Sequence, residues 1–107
     1  ADMPARVATP ELVLPVTEDR KFAIVQAVVD NAAFGAGPIN TLDGIRVDFA
    51  DGWGLLRASN TGPNLILRFE AVHRPALDRV LGLFSSALAA VSPELGPALE
   101  TVAKANR

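Results

Sequence analysis

A chain of 107 residues, half of them hydrophobic and with a formal net charge of −2, is sized for one domain around one core and lacks the polarity of a disordered tail. Ten Lys and Arg stand against twelve Asp and Glu with no basic run, which excludes a surface that tracks a phosphate backbone, so no nucleic acid is expected as partner. The absence of cysteine excludes disulfides and thiolate metal sites; no membrane partner is expected either, because no apolar run approaches the ~18 residues of a span and no secretory leader is seen, and a cytoplasmic location follows as the expectation.

Residues 1–10, "ADMPARVATP", hold two prolines and no period and are expected to be a linker from a preceding domain. "ELVL" at 11–14 is a short strand that Pro15 confines to a sheet edge. A helix is predicted from Thr17, with Glu18 and Asp19 in its first turn, where the dipole favours negative charge, and with Phe22, Val25, Val28, Val29 and Ala32 as its apolar face. "FGAGP" at 34–38 should end it.

From residue 40 the period changes to two. Ile45, Val47 and Phe49 alternate with Arg46 and Asp48, Asp51-Gly52 reads as a hairpin turn, and Trp53 to Ala58 form the return strand. After the loop "RASNTGP", 57–63, Leu65, Leu67 and Phe69 alternate with Ile66, Arg68 and Glu70. A helix with Pro75 in its first turn buries Leu77, Val80, Leu81, Phe84, Leu88 and Val91. Ser92-Pro93-Glu94 can open a last helix to about residue 104, with Leu95, Leu99 and Val102 on one side. Strand connections too short for crossover helices predict an α+β domain over 11–91, an antiparallel four-stranded sheet with helices packed on one face, followed by a helical tail at 92–107.

The loop carries the chemistry. Arg57 offers a planar fork of donors, Ser59, Asn60 and Thr61 add hydroxyl and amide donors, Gly62 lets a ligand approach the main chain, and no acid stands nearby in the sequence. Such a set suits a tetrahedral oxyanion such as phosphate, although the pattern is not G-x-x-x-x-G-K-[ST]. A polar connection whose Ser, Asn and Thr bond their own backbone, with Arg57 solvated, accounts for the same residues. Asp43, Asp48 and Asp51 are explained by turns and an outward strand position, so no metal ligand is assigned, nor any catalytic residue. His73 is expected to be a solvated junction residue and Trp53 a packing residue.

"TLDGIRVDFADGWGLLRASNTGPNLILRFEA", residues 41–71, resembles the C-terminal, fourth domain of the alpha-D-phosphohexomutases, above all the bacterial phosphomannomutase/phosphoglucomutase branch. The D-G-x-[RK]-[VI] strand, the G-W hairpin, the R-x-S-N-T-x-P loop and the x-R-F-E-A strand occur there in this order. The likeness extends over roughly residues 9–90 and implies a TATA-box-binding-protein-like fold. It also implies that Arg57, Ser59, Asn60, Thr61 and Gly62 bind a phosphate of the substrate, with Arg68 an additional candidate. Gly62 departs from the pattern, where glutamate or threonine is common, so a side-chain contact is lost there while the N–H remains. Asn60 stands where relatives acting on glucosamine phosphates usually have glycine, which favours mannose and glucose phosphates.

That family interconverts hexose 6-phosphates and 1-phosphates through a 1,6-bisphosphate, using a phosphoserine and Mg²⁺ held on its other domains. The implied partners are therefore hexose phosphates and the remaining domains, with no cofactor in this one. No T-A-S-H-N-P-like, D-x-D-x-D or G-E-x-S-G segment occurs in the chain, so alone it is expected to be catalytically inactive. A free-standing phosphosugar-binding module and the same domain of a phosphoglucosamine mutase are the alternatives.

Overall fold

The computed structural model describes residues 6–31, 39–40 and 44–106. Its centre is an antiparallel meander set by alternating side chains. β4 (Ile45–Phe49) returns as β5 (Gly52–Ala58), which returns as β6 (Asn64–Ala71). Leu56 pairs with Ile45 on one side and Leu67 on the other, so three apolar side chains share one row of the pleat. With Val47, Leu65, Phe69 and Ala71 they form the buried face.

β2 (Leu12–Pro15) pairs with the start of β6 and places Leu12 and Leu14 on the same face, while Pro15 opposes Asn64 at the sheet's edge. Two shorter segments extend this expected four-stranded sheet. β1 (Val7–Ala8) continues the edge by pairing with Ala71 and Glu70, and β3 (Ile39–Asn40) adds to β4. Part of the stretch expected to be a linker is thus a strand; Thr9 reinforces it, its hydroxyl accepting from the Phe69 amide and its own amide donating to the Phe69 carbonyl.

The β4–β5 turn falls one residue earlier than predicted. Phe49 and Gly52 are paired, so Ala50 and Asp51 form the turn. Among the described residues no non-glycine has a positive φ, which rules out the mirror-image turn that Asp-Gly usually signals. Gly52 instead lies against β6, where an added Cβ would meet the Glu70 carbonyl oxygen at 2.6 Å.

α1 (Lys21–Asn31) and α2 (Arg74–Val91) cover the buried face. α2 begins at His73, whose Nδ1 accepts from the Ala76 amide at 3.1 Å with Pro75 just inside the helix. His73 is therefore an N-cap as well as an exposed junction residue. Phe84 stands edge-on to Phe69, ring centroids 5.2 Å apart, a pairing worth ~0.5–1.5 kcal/mol beyond its burial. Gly54 makes room for that ring.

α3 (Leu95–Ala105) adds Leu95, Leu99 and Ala103 to the same core, with Val102 only partly buried. It packs closely on α2, because Gly96 lies over Ser85 and Ala89, and the Ser85 hydroxyl faces both the Gly96 carbonyl, 3.1 Å, and the Glu100 carboxylate, 2.9 Å.

α1 departs from its predicted stripe. Its buried positions are Lys21, Ile24, Val25 and Val28, while Phe22 is 60% exposed. The face is rotated by one residue, and a lysine occupies a core position. Ala32 and the expected "FGAGP" stop lie outside the described residues, as does Asp43.

Candidate functional site

The β5–β6 connection is braced from several sides. The Ser59 amide donates to the Asn64 carbonyl and the Asn64 amide to the Gly62 carbonyl, each at 2.9 Å. Ser59 is buried, and its Oγ accepts from the Thr61 amide at 3.2 Å while lying 3.4 Å from the Thr61 hydroxyl. Part of the self-bonded loop chemistry is thus realised at Ser59. Asn60 and Thr61 are exposed, and the Asn60 and Gly62 amides have no acceptor among the described residues. The donors expected to face an anion therefore stand at the loop's tip, on a base that Ser59 stiffens.

Gly62 has no positive φ, and a Cβ there would meet only the Asn64 side-chain amide, at 2.9 Å. A larger residue fits with a small shift of Asn64. Beyond it, the Val16 amide donates to the Pro63 carbonyl at 2.8 Å, tying the loop's exit to the end of β2.

Arg57, at the end of β5, opposes Ile66 and is about a third exposed. Glu11, remote in sequence, comes within 3.9 Å of its Nη2, which corrects the expectation that no acid stands near it. Arg68 opposes Leu55, so it lies diagonally from Arg57 on the face away from the helices and is exposed. Trp53 lies on that face too, partly buried, with the Arg46 guanidinium 4.4 Å from its ring centroid. Arg46 also pairs with Asp48 at 3.1 Å.

Asp51 is held by a two-pronged contact with Arg79 of α2. The Arg79 hydrogen bond, with its charge, holds the Asp51 carboxyl below its usual range despite some desolvation. Glu94 is likewise lowered, first by the Ser92 hydroxyl. Among the described residues no three His, Asp or Glu side chains converge as a metal site requires. A cleft of about 130 Å³, lined in part by Thr9, Arg74, Leu77 and Asn106, sits at the opposite end of β6 from the loop.

One loop contact had no counterpart in the pattern of the sequence. Lys21 Nζ donates to the Gly62 carbonyl at 3.0 Å and lies 2.8 Å from the Glu18 carboxylate. The available signal was a charged residue in register with the apolar positions 24, 25 and 28.

The profile of the family described as "Phosphoglucomutase/phosphomannomutase, C-terminal domain" matches residues 11–84. The chain belongs to this family. It is 51% identical over 92 residues to the phosphomannomutase/phosphoglucomutase of Pseudomonas aeruginosa, an alignment covering 86% of this chain and 20% of that protein. It is 40% identical over 89 residues to the phosphoglucomutase of Neisseria gonorrhoeae, covering 81% and 19%. A crystal structure of a phosphoglucomutase/phosphomannomutase family protein from Burkholderia thailandensis superposes with a TM-score of 0.74 at 40% identity, covering 84% of this chain and 19% of that one. The chain spans about a fifth of these relatives and corresponds to their C-terminal domain. No described helix is long and apolar enough to cross a membrane.

Proposed function

We propose that this domain grips the non-reacting phosphate of a hexose phosphate within a phosphomannomutase/phosphoglucomutase. Arg57, Asn60, Thr61 and the Gly62 amide contact the anion, Ser59 contributes its hydroxyl while bracing the turn, and Arg68 stands by as a further cation. The observation that carries this is the braced loop, whose exposed donors sit beside an arginine at the strand end. Donors fixed before the ligand arrives bind it without losing further chain freedom.

The domain's contribution is orientation and closure. Binding energy from a phosphate that does not react is used to position the one that does. Contacts made mainly to the anion suit either the 1-phosphate or the 6-phosphate, as a reaction through a 1,6-bisphosphate requires. The phosphoserine and Mg²⁺ of such an enzyme belong to its other domains, so the present chain is inactive alone, and a cytoplasmic setting fits its substrates. Asn60 favours mannose and glucose phosphates over glucosamine phosphates.

The test is a backbone amide NMR titration of this chain with glucose 6-phosphate and mannose 1-phosphate, using inorganic phosphate as reference. Shifts confined to residues 57–62, saturating near millimolar ligand or ~4 kcal/mol, are expected of one anion on an open loop. No loop response at roughly ten times that concentration would overturn the proposal.

A further inference from the structure

Lys21 opposes two ordinary preferences at once. Its side chain is 2% exposed, where lysine is seldom found, and it begins a helix, where the backbone dipole repels positive charge. Burying an ammonium is costly unless its donors are met. They are met by the exposed Glu18 carboxylate and by one backbone group, the Gly62 carbonyl.

That carbonyl is an unusual acceptor. The peptide unit joining Gly62 to Pro63 has no N–H, so its oxygen has no donor of its own to offset it. A carbonyl oxygen turned toward a bound anion would repel it. Here the oxygen is engaged from within by Lys21 Nζ at 3.0 Å and by the Asn64 amide at 2.9 Å. The same contact sets a fixed positive charge behind Asn60 to Gly62.

We propose that Lys21 is a positioning residue for the loop: its ammonium keeps the Gly62 carbonyl turned inward, so that the donors of Asn60 to Gly62 face outward, and it strengthens anion binding from behind without touching the ligand. This rests on the anion-binding reading of the loop.

Two variants separate its parts. Lys21→Met keeps the apolar stem and removes donor and charge; Lys21→Gln keeps a neutral donor and removes only the charge. Amide hydrogen exchange without ligand reads the loop itself. In Lys21→Met, exchange at Ser59 and Asn64 should rise about tenfold or more relative to Leu67, while Lys21→Gln stays nearer the parent. Titration with inorganic phosphate reads the consequence, with dissociation constants expected to rise at least about fivefold in Lys21→Met and about threefold in Lys21→Gln.

If loop exchange in Lys21→Met does not change relative to Leu67, or rises equally across the sheet in both variants, Lys21 is a plain core residue and the proposal is overturned. If the parent itself shows no phosphate response, the anion reading falls and takes the functional half of this proposal with it. The exchange data tell the two failures apart.

Discussion

Glu11, the residue before β2, and Arg57 on β5 meet across the intervening strand β6, Oε2 to Nη2 at 3.9 Å. Both are partly exposed, and such a pair contributes ~1 kcal/mol at most. Its position matters more, because the carboxylate is an internal rival for the cation assigned to the anion. Glu11→Gln should therefore tighten phosphate binding by roughly two- to fivefold at low ionic strength, with the gain shrinking as salt is raised. An unchanged salt profile in the NMR titration would count against that rivalry.

Arg57→Ala should abolish phosphate binding by the isolated chain while changing stability by only about 0.5 kcal/mol, since the side chain lies outside the core. Urea unfolding alongside the titration checks both halves. A variant that binds like the parent would remove Arg57 from the site.

Gly54→Ala should be costly for reasons of space. An added Cβ would lie 2.5 Å from Phe84 Cε1 and 3.0 Å from Phe69 Cδ1, which forces the edge-on ring pair apart. Overpacking of this kind costs ~1–3 kcal/mol, measurable as a lower urea midpoint at unchanged slope.

Leu99→Ala should cost ~2–5 kcal/mol, as for other buried leucines. Leu99 is fully buried in α3, so the experiment measures how far the C-terminal helix belongs to the cooperative unit. A loss below about 1 kcal/mol would mean that α3 detaches before the sheet unfolds.

Acid should weaken the fold through Asp51 and Glu94. Both carboxyls have folded-state values below their ordinary ones, Asp51 through Arg79 and Glu94 through Ser92. A lowered carboxyl stabilises the fold above its unfolded value, roughly pH 4, and that stability is lost as the pH falls through the folded value. The melting temperature should thus fall below about pH 4, and less steeply in Asp51→Asn. Equal slopes in the two proteins would show that the Arg79 contact has no thermodynamic weight.

Much of the fold was legible because its signals are local. Period-two alternation located β4, β5 and β6, and the apolar spacing with Pro75 located α2. What escaped depends on partners distant in the chain. Val7 and Ala8, between prolines, are too few to show a period, and only pairing with Ala71 and Glu70 makes them a strand. In α1 the hydropathy of Phe22 outweighed that of Lys21, yet Lys21 is the buried one, because a carbonyl 41 positions away accepts its hydrogen bond. The loop was found from residue type alone; its rival Glu11 and its support Lys21 become visible only when β2 and α1 are laid against it.

β6 is bordered by β5 on one side and by β2 and β1 on the other, which has a consequence for how the chain is made. During synthesis the β1 and β2 segments emerge before β6, and neither has its pairing partner until β6 has left the ribosome. Local closure of β4, β5 and β6 can proceed at once, whereas docking of the amino-terminal strands must wait for Leu65 to Ala71. Leu12 and Leu14, buried once β2 has docked, are therefore unprotected until β6 emerges, and that interval is when a chaperone would find this domain.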